Sequence, residues 1–287
     1  MKHFITTESA VLGFCVGDHH VDCLCANKLQ KFDKASGQLL FEKLIFDKNG
    51  LARILTADDG QIFVSDFCTL SAFDQHTYEL LGKWQLGEDL TSDICGMTMD
   101  DRTVYCSIRN GKIITIDRTS FQKTEHIISD SSMWSLKSYG SHLLCGTVSG
   151  QLLLLNKASL SVEKSLVLSR QNIRSLFIDD TDPQVSILYA SAQDKKLFQI
   201  DLPQFDILNI QKNAHTKMFD CAGTYHDILV TVSHPCGEIA FWDKHSFQKI
   251  KTLSVPLKLS GNTYLEGNQM YLTSRNIYGI DLIDLES

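Results

Sequence analysis

The chain is predicted to be all-β: a seven-bladed β-propeller of four-stranded blades. Three observations carry that prediction. The chain repeats with a period near 41 residues, each repeat holds four short strands and no amphipathic helix, and the two chain ends complete one another. The repeat shows first as an apolar residue followed by Asp or Asn. Phe32-Asp33, Phe73-Asp74, Ile116-Asp117, Leu155-Asn156, Ile200-Asp201, Trp242-Asp243 and Ile280-Asp281 follow in order, at spacings of 41, 43, 39, 45, 42 and 38. Three residues before each apolar member stands Leu29, Leu70, Ile113, Leu152, Leu197, Ile239 or Ile277. The residue before that is polar every time: Lys28, Thr69, Lys112, Gln151, Lys196, Glu238 or Asn276. Leu and Ile make up about a fifth of the chain, so an unbroken column has a chance probability on the order of 10⁻⁵.

One period, residues 151–196, justifies the four strands. Gln151 to Leu155 is apolar and short, and Asn156-Lys157-Ala158-Ser159 turns the chain. Val162 to Leu168 is a second strand and Ile173 to Ile178 a third. The run Asp179-Asp180-Thr181-Asp182-Pro183 is expected to break the third strand, because Asp and Pro favour turns. Ser186 to Ser191 is the fourth strand. Asn110-Gly111, Ser149-Gly150 and Cys236-Gly237 mark recurring hairpins, where Gly supplies the positive φ. The last repeat is too short for its own fourth strand, and residues 2–8 are surplus to the first. They are expected to form the outer strand of the last blade and remove the weak edge there, giving one domain over residues 1–287.

Composition sets the class. Apolar residues make up 43% and charged residues 21%, which excludes a disordered chain, a collagen-like fibre and a small disulfide scaffold. The net charge is −7, with no long run of Lys and Arg, so neither nucleic acid nor an anionic membrane is the expected partner. No stretch of 18 apolar residues occurs, and the N-terminus lacks the apolar core of a signal peptide. Nine cysteines, an odd number without a C-x-x-C pair, sit mostly inside apolar strands. They read as buried thiols in a reducing interior, cytoplasmic or nuclear.

The chain resembles the WD40-repeat family. Residues 191–201, Ser-Ala-Gln-Asp-Lys-Lys-Leu-Phe-Gln-Ile-Asp, look like the end of such a repeat. Trp242-Asp243 is a Trp-Asp pair, and Ala214-His215-Thr216-Lys217 is similar to the family's loop bearing Gly-His. By period the resemblance spans the whole chain; by motif it rests on the sixth repeat. It implies a hydrogen-bonded network of that His, a strand Ser or Thr, a turn acid and the Trp. It also implies partner docking over the central channel, by residues flanking the first apolar position of each inner strand.

Aligning the inner strands by their turns places six candidate partner-binding residues in that ring: Asp93, Trp134, Asn172, Arg174, Lys217 and Phe219. Trp134, Arg174 and Phe219 fall on consecutive blades, and large aromatics and Arg dominate interface energies. Trp134 and Phe219 also fit as plain core residues, whereas an Arg is rarely buried without a partner. Asp18-His19-His20-Val21-Asp22-Cys23-Leu24-Cys25 has metal-ligand residue types. Strand alternation sends Cys23 into the column of Val64, Cys106 and Cys145, a core column, so neither metal nor other cofactor is expected. No G-x-S-x-G occurs, and Asp93 is the one carboxylate in the ring, so a non-catalytic scaffold is expected rather than an enzyme. The alternative is a propeller enzyme or small-ligand sensor, motivated by residues 32–40, which resemble a quinoprotein-type repeat.

Overall fold

The computed structural model describes residues 1–45, 52–58, 60–87, 93–182, 185–256, 259–274 and 278–286. The first strand is β1 (Lys2–Thr6). Next come β2 (Val11–Val16), β3 (His20–Cys25), β4 (Lys28–Asp33) and β5 (Leu39–Leu44), then β6 (Ala52–Asp58), β7 (Gln61–Asp66), β8 (Thr69–Asp74) and β9 (Leu80–Gln85). The third group is β10 (Ile94–Met99), β11 (Thr103–Ile108), β12 (Lys112–Asp117) and β13 (Lys123–Ile127). The fourth is β14 (Met133–Tyr139), β15 (His142–Thr147), β16 (Gln151–Asn156) and β17 (Val162–Val167). The fifth is β18 (Ile173–Asp182), β19 (Val185–Ala192), β20 (Leu197–Asp201) and β21 (Asp206–Gln211). The sixth is β22 (Asp220–Tyr225), β23 (Ile228–Ser233), β24 (Glu238–Asp243) and β25 (Lys249–Ser254), and β26 (Leu259–Glu266), β27 (Gln269–Ser274) and β28 (Gly279–Asp284) finish the chain. Among the described residues these make seven antiparallel four-stranded sheets; β1 joins β26–β28, and the rest take four consecutive strands each. Among the same residues no helix is long and apolar enough to cross a membrane.

The chain packs as two compact units. One, residues 1–90, 235–237 and 255–287, holds the sheets β2–β5, β6–β9 and β26–β28 with β1. The other, residues 91–234 and 238–254, holds the four sheets from β10 to β25. Within each sheet the two middle strands are the most buried and the outer strand is exposed, as in β15, β16 and β17. A middle strand covered on both faces needs apolar side chains at successive positions, which is why Leu152-Leu153-Leu154-Leu155 does not alternate. The column of Cys23, Val64, Cys106 and Cys145 is wholly buried, as the strand alternation predicts. Burial pushes the Cys106 thiol up to about 12, so it is an inert packing group.

The Asp ladder has a local cause. Asp33 accepts hydrogen bonds from the Ser36 backbone (2.7 Å) and hydroxyl (2.6 Å). Asp74 does the same with Thr77, Asp117 with Ser120, Asn156 with the Ser159 backbone and Asp243 with Ser246. Each side chain closes the turn between the third and fourth strands of its blade. The backbone N–H and hydroxyl of Ser120 hold the Asp117 carboxyl down at about 2. The fourth residue after each rung adopts a left-handed conformation: Gly37, Tyr78, Phe121, Leu160, Phe205 and Phe247 have φ of 72°, 55°, 59°, 54°, 60° and 54°. That costs a non-glycine residue about 1 kcal/mol, offset where the side chain is driven into the core, as for Tyr78, Leu160, Phe205 and Phe247.

The seventh rung lies three residues beyond the expected Ile280-Asp281. Gln269 pairs with Asp284, as His142 pairs with Asn156, so the rung is Ile283-Asp284. Ile280, not Ile277, then fills the Leu152 column; Asn276 and Ile277 lie outside the described residues. Asp281 is instead buried mid-strand, where its Oδ1 is 2.9 Å from His3 Nδ1 on β1. A second difference concerns Asp179–Asp182, expected to break its strand: β18 runs on to Asp182. Burial works against the Asp179 charge, yet hydrogen bonds from Lys244 (2.9 Å) and Thr181 (2.8 Å) hold its carboxyl below the usual range and fix the extended backbone.

The ends close as expected. β1 pairs with β28 from Lys2↔Leu282 to Thr6↔Gly279. Ile5 is fully buried among Val11, Val21, Phe32, Tyr271 and Ile280. Two glycines admit the strand: a Cβ on Gly37 would overlap the Phe4 carbonyl oxygen, and one on Gly279 the Ile5 carbonyl oxygen.

Candidate functional site on the inner strands of the four-blade unit

The inner strands β10, β14, β18 and β22 lie side by side. Small hydroxyl residues tie some of them together. Ser135 Oγ donates to the Ile173 carbonyl (3.1 Å), Ser191 Oγ to the Phe219 carbonyl (2.9 Å), and Ser175 Oγ accepts from the Cys221 N–H (2.8 Å). Three of these strands carry a bulge at their second residue: Cys95, Trp134 and Arg174 are left out of the ladder. A bulge turns one extra side chain away from the regular alternation, and here it repeats at one level on successive strands.

Among the described residues, Trp134 is half-buried, lies outside the core cluster of its own blade around Met133 and Leu136, and makes no hydrogen bond through its indole N–H. Arg174 is half-buried and is not a free cation: its Nε lies 3.4 Å from Asp220 Oδ1. Asp220 Oδ2 is in turn 3.3 Å from His234 Nε2. Burial opposes the Asp220 charge, but His234 and Arg174 together hold its carboxyl below the usual range. Asp93 is buried and paired with Arg109 Nη2 at 3.1 Å. Asn172 is also buried, and Lys217 is exposed.

Phe219 corrects the expectation of an aromatic on the open face. It is 0% exposed and stacks on His215 with ring centroids 4.6 Å apart. Phe219 takes the buried Met133 place: it lies six residues before Tyr225 of the hairpin pair Tyr225↔Ile228, as Met133 lies six before Tyr139 of the pair Tyr139↔His142. In β22, however, the bulge comes later, between Cys221 and Gly223. Asp220, which follows Phe219 as Trp134 follows Met133, therefore stays in the ladder, and Met218 is left 38% exposed. Sequence reasoning also missed Asp220 and Lys137. The Arg174–Asp220 separation of 46 residues, close to one period, was the available signal for the first. Lys137 is solvent-accessible on β14, and desolvation by the protein packed around it lowers its ammonium pKa.

The sixth blade holds the one network that the motifs foretold. His215 Nε2 is 2.7 Å from Thr231 Oγ1, and the Trp242 indole N–H donates to that same oxygen at 2.8 Å. Glu238 Oε1 stands 3.0 Å from His215 Nδ1 and takes the place of the turn acid. Burial drives the His215 pKa down to about 4, against the opposing pull of Glu238. A neutral imidazole with its proton on Nδ1 suits both neighbours. Above about pH 6.5 His215 is neutral both folded and unfolded, and its contribution is intact. Between 6.5 and 4 the unfolded chain takes up a proton that the folded one refuses, so stability falls with falling pH. The expected loss is on the order of 3 kcal/mol, levelling off below 4. Urea titrations across this range on wild type and His215→Asn check it: the variant should lack this part of the fall, and a difference between the two profiles that stays constant with pH would reject the assignment.

A recess of about 520 Å³ beside β18–β21 is lined by Asp179, Tyr189, Gln199, Asn209 and Lys244. Its polar groups engage each other: Lys244 with Asp179, Gln199 Nε2 with the Lys244 carbonyl (2.9 Å), and Asn209 Nδ2 with Gln199 Oε1 (2.7 Å). Lys157 bonds Asp100 (2.7 Å) in the same columns, so this contact is a repeated lock between neighbouring blades. Among the described residues no group of three His, Cys, Asp or Glu side chains is arranged to hold a metal ion.

Sheet order, closure and repeated inner-strand bulges define a seven-bladed β-propeller. No family model matches the chain, and no curated protein matches it. Among solved structures, the β-propeller domain of Cps50 (Swd1) from Myceliophteria thermophila is similar with a TM-score of 0.82 at 10% identity, covering 97% of this chain and 98% of that one. The computationally designed protein Ika8 is similar with a TM-score of 0.73 at 13% identity, covering 98% of this chain and 99% of the other. At these identities the likeness is one of fold.

Proposed function

We propose that the chain is a degenerate WD40-type propeller serving as a non-catalytic interaction scaffold in the cytoplasm or nucleus. It binds a peptide or protein partner on the inner strands of its four-blade unit. The WD40 reading rests on the His215–Thr231–Trp242 network, with Glu238 as the acid. The binding reading rests on one observation: Trp134 is carried out of the β14 ladder by a bulge, half-exposed, with its indole N–H unused by the described residues. A Trp held outside the core on a rigid strand is a large contact surface with little conformational entropy to lose. Lys217, Met218 and Lys137 supply exposed polar and flexible apolar contacts, while Arg174 orders Asp220 rather than clamping the partner.

Affinity capture from native lysate tests this. Trp134→Ala is expected to weaken recovery of the partner by at least about thirtyfold, the 2 kcal/mol of an interface hot spot, with the melting temperature unchanged. Equal recovery by wild type and Trp134→Ala would reject the site.

A further inference from the structure

The three-blade unit carries a second surface, unrelated to the inner strands. Its outer strands β5 and β9 belong to neighbouring blades and expose Leu39, Leu40, Phe41 and Leu44 on one and Leu80 and Leu81 on the other. Isolated exposed apolar residues are ordinary, but Leu44 and Leu80, one from each strand, meet at one cleft. A cleft of about 200 Å³ lies between the two strands, walled by Leu44, Phe73, Tyr78 and Leu80 and rimmed by Lys43 and Lys83. Leu44 and Leu80 are 57% and 56% exposed at its mouth. The Phe41 ring packs on Tyr78, with centroids 5.3 Å apart, and stiffens one wall.

Charge selects the occupant. Neither Lys43 nor Lys83 has an ion-pair or hydrogen-bond partner among the described residues. The adjacent acid on β5, Glu42, is engaged by Lys28 (2.9 Å) and Gln30 (2.9 Å), and Glu79 sits at the turn that opens β9. On a chain of net charge −7, two lysines that form no ion pair among the described residues, beside an apolar cleft, form a local positive site against an acidic background. We propose that this cleft docks a short extended segment of a partner protein. The segment inserts one apolar side chain between Leu44 and Leu80 and sets a neighbouring carboxylate against Lys43 and Lys83. The free edge of β5, paired only with β4, lies alongside for main-chain contact.

A random peptide library displayed on phage, selected on the whole protein and counter-selected on the Lys43→Glu/Lys83→Glu variant, tests the proposal. Enriched peptides are expected to place Leu, Ile or Phe next to Asp or Glu. By fluorescence anisotropy such a peptide should lose at least about tenfold in affinity for the double variant and for Leu80→Glu, and keep its affinity for Trp134→Ala. That last arm separates this cleft from the inner-strand site. All the substituted residues are partly or largely exposed, and circular dichroism melts verify that the variants fold. Enrichment of basic or purely apolar peptides, or of none sensitive to the lysine changes, overturns the proposal. So does self-association of the wild type that Leu44→Glu abolishes, which would give the patch to a second copy of the chain.

Discussion

Removing residues 1–8 is expected to abolish cooperative folding of the three-blade unit. Three losses add. Ile5 is fully buried in an apolar cluster, and truncating such a side chain costs about 2–5 kcal/mol. Asp281 is buried with His3 beside it, and an orphaned buried carboxylate costs a further 1–3 kcal/mol, roughly. The β1 ladder from Lys2 to Thr6 disappears, leaving the edge of β28 open to other chains. The sum is comparable to a domain's whole stability of about 5–15 kcal/mol. Urea melts followed by fluorescence and light scattering check it: the truncated chain should aggregate or melt without a sharp transition. Ile5→Ala gives the graded version, a loss of about 3 kcal/mol in a chain that still folds. A truncated protein with the wild-type midpoint would show that the clasp contributes nothing.

The second large effect is expected at Trp242. Its ring is buried against Phe247, Phe219 and Leu229, and its N–H donates to Thr231. Trp242→Ala should lower the unfolding free energy by about 4 kcal/mol, the cost of a cavity that large. Trp242→Phe keeps most of the volume and removes only the hydrogen bond, so its loss should be near 1–2 kcal/mol, approximately. The pair Trp242→Phe and Thr231→Val, measured singly and together in urea, should show a coupling of about 0.5 kcal/mol or more, because both changes break the same network. Strict additivity would deny that the network acts as a unit.

Much of the architecture was legible because its causes are local. The ladder of Asp and Asn stands in the sequence at near-constant spacing, since each rung bonds the backbone two or three residues on. A fuller signal was also present: Asp-x-x-Ser/Thr followed by a large apolar residue, as in Asp74–Tyr78, Asp117–Phe121 and Asp243–Phe247. Judged by that pattern, Asp281 fails as a rung, for Leu282-Ile283-Asp284-Leu285 follows it with no hydroxyl residue at the third position. The misplaced seventh rung came from reading an apolar-Asp pair without asking which groups the carboxylate would bond.

The candidate site was only partly legible. Column alignment found Trp134 and Arg174, because both sit at the same bulge of successive inner strands. It failed at Phe219, which is itself the buried apolar residue in the Met133 place and not a neighbour of it, so the alignment there was one residue out of register. Arg174 looked like an unpaired cation because its partner, Asp220, lies about one period downstream.

The sequence by itself determined the repeat, the four strands per blade, the turns and the closing role of the first residues. Each of these follows from contacts within a few positions or from a strict count along the chain. Only the tertiary structure decided which side chains are exposed, which charges are already paired, and that two outer strands enclose an apolar cleft rimmed by lysines. Those properties arise between blades about forty residues apart. There a one-residue difference in register exchanges the two faces of a strand, while the apolar pattern that the sequence displays scarcely changes.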